Sequence, residues 1–202
     1  MRITDHRYAR DVRRFNLALR LIALEARTHT VCHWTGLSNV RVRKLYQSYA
    51  DADVSVARHR GPSPNQPTLF LRSQRIRNEA AALGGLLQML KVLPAEPLVK
   101  ERAMSAMERG ERLCSAFELY RQLVPQGVLS LEHAVLLANS LTRDSELVLT
   151  HCGGCGCAVM TDRYGAIRRS CKHCHDHTSD RPVVSEAEMA AMLEPVLQHR
   201  LF

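Results

Sequence analysis

Residues 151–175 read HCGGCGCAVMTDRYGAIRRSCKHCH and hold five of the chain's seven cysteines and three of its ten histidines. Thiolates and imidazoles are the usual ligands of zinc, and a thiolate is also a nucleophile. Cys152 with Cys155, and Cys171 with Cys174, are C-x2-C pairs separated by fifteen residues, a spacing suited to a four-thiolate zinc site. Each pair turns two sulfurs toward one ion, and the spacer brings the second pair to the other side of the tetrahedron. Cys157, His151, His173, His175 and His177 are further donors, any of which can take the place of one of the four. Within the spacer, 158–161 and 166–170 predict two short strands around a turn at 162–165, and hence a zinc ribbon.

A catalytic zinc needs an open coordination position and a nearby base. The deaminase pattern of H-x-E followed by P-C-x-x-C is absent, and no H-E-x-x-H occurs. The CGGC stretch resembles a dithiol couple, but no βαβ pattern lies around it. One Zn2+ per chain is therefore expected in a structural role, and the chain is not expected to be an enzyme.

A second chemistry-bearing stretch, THTVCHWTGLSNVRVRKLYQSY, spans 28–49. It meets the demands of a helix-turn-helix: the small Cys32 where two helices cross, Gly36 at the turn, and Val42, Leu45 and Tyr49 facing inward. Ser38 stands at the N-cap of the second helix. The outward face then carries Ser38, Asn39, Val40, Arg43, Lys44 and Gln47, with Arg41 to the side. Asn and Gln can pair with adenine, Arg with guanine, and Lys with guanine or phosphate, so these six are the candidate DNA-binding residues. Two short helices of a bundle with a charged outer face give the same pattern. Trp34, Cys32 and Cys114 are expected in the core.

The elements that must position these residues are mostly helical. Val12, Phe15, Leu19, Ile22 and Ala26 form one apolar stripe, Ile76, Ala80, Leu83, Leu87 and Leu90 a second, Leu113, Phe117, Tyr120 and Val124 a third, and Leu131, Val135, Ala138 and Leu141 a fourth. Ser185 and Glu188 have capping-box spacing ahead of a further helix. The expected architecture is mainly α. It comprises a basic helix-turn-helix-like segment at 1–50, a Pro-rich loop or linker at 51–68, a helical partner-binding region at 69–148, the four-cysteine zinc ribbon at 149–178, and a C-terminal helix or tail at 179–202.

The net charge is +8, and residues 1–60 carry twelve Arg and Lys against five Asp and Glu, nearly the whole excess. Such asymmetry points the N-terminal part toward a polyanion. No apolar run approaches the roughly 20 residues that span a bilayer, and the first residues lack the apolar core of a secretory signal, so a cytoplasmic protein without a membrane partner is expected.

The segments LALRLIALEARTHTVCHWTGLSNVRVRKLY, AFELYRQLVPQ and LEHAVLLANSLTRDSELVLTHC, followed by the four-cysteine pattern, together resemble the FlhC family of flagellar transcriptional activators, in order from about Arg10 to Cys174. The resemblance implies a hetero-oligomer with an FlhD-like subunit, binding to promoter DNA, and activation of flagellar operons through RNA polymerase. It also implies that zinc is held by Cys152, Cys155, Cys171 and Cys174. Competing readings are an FlhC-like paralogue acting on other genes, a protein-only adaptor, and a zinc or thiol enzyme.

Overall fold

A computed structural model describes residues 5–51, 61–93, 104–142 and 147–164, together with Cys171 and Cys174. Over these residues the chain forms α1 (Asp5–Ala23), α2 (Thr28–Thr35), α3 (Asn39–Asp51), a 3-10 turn (Pro67–Leu71), α4 (Gln74–Met89), α5 (Ala106–Leu123) and α6 (Leu131–Thr142). One antiparallel pair follows, β1 (Leu147–His151) and β2 (Ala158–Asp162). The helix expected within 179–202, the strand expected at 166–170 and residues 52–60 of the Pro-rich loop lie outside the described residues.

Local chemistry starts and stops these helices. The Ser73 hydroxyl caps α4 by accepting the Ile76 N–H at 3.2 Å, and the Ser105 hydroxyl caps α5 by accepting the Glu108 N–H at 3.2 Å. Before α6 a histidine takes the part that Glu or Gln plays in a capping box: the Ser130 N–H donates to His133 Nδ1 at 3.1 Å, beside a 2.8 Å contact between that nitrogen and the Ser130 hydroxyl. Just past the other end of α4, Arg109 of α5 donates to the Val92 carbonyl at 2.8 Å and so ties α5 to the turn that closes α4.

The core runs through all the helices and into the sheet. Leu83 and Leu87 of α4, Leu113 and Phe117 of α5, and Leu131 and Leu137 of α6 are buried together with Leu147 of β1 and Met160 of β2. Each such side chain contributes about 1.5–3 kcal/mol of transfer free energy. Gly84 lets the sheet come close: a Cβ there would stand 3.2 Å from Leu149 Cδ1. The hairpin that carries the cysteines is thus seated directly on α4.

Two details of the N-terminal region differ from expectation. The buried residues of α1 are Leu17, Ala18, Leu21 and Ile22, whereas Val12 is 38% exposed and Ala26 is buried beyond the helix end. α1 packs against both α2 and α5, and two neighbours set the buried arc rather than the single best-spaced stripe. On α3 Tyr46, which is not among the residues expected inward, is buried and its hydroxyl donates to the Ala26 carbonyl; the expected inward side chain of Tyr49 lies outside the described residues. Trp34 and Cys114 are buried and Cys32 is half-buried, as expected of core residues.

Candidate functional site

The strand expected at 158–161 is present as β2, but its partner among the described residues is β1, ahead of the first cysteine pair. Pairing runs from Leu147 opposite Asp162 to His151 opposite Ala158. The loop at the end of this hairpin is closed by the Cys152 N–H donating to the Cys157 carbonyl and the Gly156 N–H donating to the Cys152 carbonyl, both at 2.8 Å. Gly156 sits at φ +72°, in the left-handed region that glycine enters without strain.

This loop gathers the thiols. The sulfurs of Cys152, Cys155, Cys157 and Cys171 all lie within 4.8 Å of one another. Cys155 Sγ is 3.3 Å from Cys157 Sγ and 3.6 Å from Cys171 Sγ. Cys174 borders the group: its N–H donates to Cys171 Sγ at 3.3 Å, and its own sulfur stands beside those of Cys155, Cys171 and Cys152. Of the four predicted ligands, three are therefore in the cluster with Cys157, and Cys174 stands beside them. Among the described residues no histidine joins the cluster. His173, His175 and His177 lie outside them.

Backbone amides prepare two of the sulfurs to be negative. The Cys171 N–H donates to Cys152 Sγ at 3.3 Å, and the amides of Cys155 and Gly154 also point at it. These three donors hold the Cys152 thiol down at about 6. The Cys157 amide does the same for Cys155, with help from the neighbouring thiols. The thiols of Cys157 and Cys174 are pushed up to about 12, first of all by their hydrogen bonds to Cys155. Backbone amides thus serve Cys152 and Cys155, while Cys157 and Cys174 face other thiols. A cation bound by four thiolates displaces the protons of its ligands.

The donor set fits zinc. Four thiolates at a Zn–S distance of about 2.3 Å stand about 3.8 Å apart in a tetrahedron, within the range of sulfur separations here. Cys152, Cys155 and Cys171 would supply three ligands, with Cys174 or Cys157 the fourth. The ion would supply a cross-link between the hairpin loop and the segment carrying Cys171 and Cys174.

The second candidate site is the outer face of α3. Gly36 ends α2 at φ +68°, its N–H donating to the Cys32 carbonyl at 2.9 Å, and Leu37 and Ser38 lead into α3. Val42 and Tyr46 are buried and Leu45 is half-buried. Ser38, Asn39, Val40, Arg43, Lys44 and Gln47 are all exposed. Arg41 turns aside, as expected, with its guanidinium 5.7 Å from the Phe15 ring centre.

Two features of this region carry no sequence signal. α2 has no acidic residue in its first turn, and Glu132 of α6 supplies one by accepting the Arg27 N–H at 2.9 Å and the Ser63 hydroxyl at 3.2 Å. The basic residues also divide into two sets. Arg13 is paired with Glu111, Arg14 with Asp11 and Arg20 with Glu118, whereas among the described residues Arg43 and Lys44 have no acidic partner. Arg13 and Arg20 hold α1 to α5, while Arg43 and Lys44 leave their charge at the surface of α3.

Among the described residues no helix is long and apolar enough to cross a membrane. No protein-family model matches this chain, and no curated protein matches it.

Proposed function

We propose that the chain is a DNA-binding transcription activator subunit of the FlhC kind, which works with an FlhD-like partner to activate flagellar operons through RNA polymerase. The observation that carries this reading is the exposed face of α3. There Arg43 and Lys44, without acidic partners among the described residues, stand between the amides of Asn39 and Gln47. In this reading α2 and α3 are a helix-turn-helix, and α3 lies in the major groove with its N-terminal residues toward the base edges. Asn39 and Gln47 meet adenine, Arg43 meets guanine or phosphate, Lys44 meets phosphate, Val40 meets a thymine methyl, and the Ser38 hydroxyl meets backbone.

The remaining parts support such a role. A single helix-turn-helix buries little DNA surface, about the 600–1,000 Å2 of one small module, so a partner subunit supplies the rest. Zinc on the cysteine cluster folds the hairpin and takes no part in catalysis, and the chain is a cytoplasmic regulator rather than an enzyme.

The test is DNA binding by the zinc-loaded chain, with and without the FlhD-like subunit of the same cell, on duplexes from upstream of motility operons at two salt concentrations. Specific, salt-sensitive binding that tightens with the partner is expected. Absence of binding in both forms, with the fold intact, overturns the activator reading in favour of a protein-only adaptor.

A further inference from the structure

We propose that Cys155 and Cys157 form a modification site, at which a hydroperoxide joins the two sulfurs in a disulfide and so removes Cys155 from the metal centre. The metal part of this proposal rests on the zinc reading above. The disulfide part stands on the geometry of the two thiols.

Five cysteines meet at this end of the hairpin, and tetrahedral zinc takes four. The backbone pattern identifies the extra one. In each C-x-x-C pair an amide within the pair serves the first sulfur: the Cys155 N–H points at Cys152 Sγ, and the Cys174 N–H at Cys171 Sγ. Cys157 serves through its main chain instead, its N–H pointing at Cys155 Sγ and its carbonyl accepting the Cys152 N–H. Its thiol is left over.

That thiol is also the best placed to react. Cys155 and Cys157 are exposed, whereas Cys152 is buried and Cys171 and Cys174 are half-buried. The 3.3 Å between the Cys155 and Cys157 sulfurs is shorter than the 3.6 Å from Cys155 to Cys171, and about 1.3 Å longer than a disulfide bond. A small oxidant can reach both from solvent, and no other thiol pair of the centre is open in this way.

The chemistry balances with a hydroperoxide as the two-electron oxidant. The Cys157 sulfur attacks the outer peroxide oxygen, the O–O bond breaks, and the departing alkoxide or hydroxide takes the Cys157 proton, leaving a sulfenic acid on Cys157. The Cys155 sulfur then leaves the metal and attacks the Cys157 sulfur, the S–O bond breaks, the departing hydroxide leaves as water after taking a proton from solvent, and the disulfide forms. Two sulfurs are oxidised by one electron each, and the peroxide is reduced to an alcohol or water plus water. Cys152, Cys171 and Cys174 remain, a three-thiolate set that holds zinc less tightly. A thiol reductant reverses the change.

The experiment uses the full chain loaded with zinc. Metal content is measured first, then hydrogen peroxide is added while a chromophoric chelator reports released zinc and peptide mapping locates disulfides. The wild-type chain is expected to lose its zinc and gain a Cys155–Cys157 disulfide, with zinc rebinding after reduction; Cys157→Ser is expected to keep its zinc under the same treatment. Cys174→Ser, which removes a ligand rather than the extra thiol, is expected to bind zinc more weakly before any oxidant is added. Equal zinc loss from wild type and Cys157→Ser, a disulfide between other cysteines, or a Cys157→Ser chain unable to bind zinc overturns the proposal. A wild-type chain that binds no zinc refutes the metal reading, and the disulfide map still decides the modification site.

Discussion

The hydroxyl of Tyr120 on α5 donates to Glu79 Oε2 on α4 at 2.7 Å, inside the helical core. The same carboxylate oxygen accepts the Val128 N–H at 2.8 Å, and Oε1 accepts from Arg75 Nε at 3.0 Å. One buried acid thus fastens α4, α5 and the loop leading to α6, which together form the platform for the cysteine hairpin.

Tyr120→Phe leaves Glu79 buried with one donor fewer, so a loss of about 1–3 kcal/mol in unfolding free energy is expected. Urea melts measure it. An unchanged midpoint with unchanged slope would mean that Val128 and Arg75 satisfy the carboxylate by themselves.

The same group predicts how stability follows pH. Burial pushes the Glu79 carboxyl up, but the Tyr120 hydroxyl, the Val128 amide and Arg75 outweigh it and leave the pKa below its ordinary value. The folded state therefore binds this proton less readily than the unfolded state. Its contribution is complete above the unfolded pKa of about 4.3 and disappears as pH falls through the lower folded value. Replacing Glu79 by Gln should flatten the acid limb of a stability-against-pH curve, and an acid limb identical to wild type would remove Glu79 from its cause.

What the sequence revealed divides by range. The cysteine knuckles, the Gly36 turn and the exposed row from Ser38 to Gln47 depend on neighbours a few residues apart, and spacing alone locates them. Glu79 finds Tyr120 41 residues away and Glu132 finds Arg27 105 residues away, and the one nearby partner, Arg75 four residues before Glu79, is a pairing that any solvated helix acid can make. β1 escaped because LVLTH is a short apolar run after a helical pattern, which periodicity cannot separate from one more helical turn. Its partner β2 was legible, but which strand it joins depends on how the hairpin sits on α4.

The Glu132 carboxylate stands at the start of α2 and also receives Ser63, so Glu132→Ala removes an acid that the first turn of that helix does not itself provide. A loss of about 1–2 kcal/mol is expected, with faster amide hydrogen exchange concentrated in α2 rather than in α5. Exchange that quickens equally throughout would assign Glu132 to general core stability.

Metal removal should reach beyond the hairpin. Leu147 and Met160 belong to the main core, and Leu149 packs on Gly84, so freeing the cysteine loop loosens a sheet that covers α4. Chelation of a zinc-loaded chain is expected to lower Tm and to raise hydrogen exchange in β1, β2 and α4. A melt unchanged by a chelator, with metal loss verified, would show that the helices hold the sheet without it.

Charge-for-charge substitution separates a DNA-reading face from general attraction to a polyanion. Arg43→Ala, Lys44→Ala and Arg13→Ala each remove one positive charge, so attraction set by net charge alone weakens equally in all three. Arg13, however, is committed to Glu111, whereas Arg43 and Lys44 point outward without an acidic partner among the described residues. If α3 lies against DNA, Arg43→Ala and Lys44→Ala should each weaken binding and lower the slope of log K against log salt by about 0.9 for every phosphate left without its cation, while Arg13→Ala leaves that slope near wild type. Should Arg43 read a base, its removal would instead cost about 1–3 kcal/mol on one sequence and little on another, with the salt slope nearly unchanged. Equal effects from all three variants would remove α3 from the DNA interface and leave only the summed charge of the N-terminal region to explain binding.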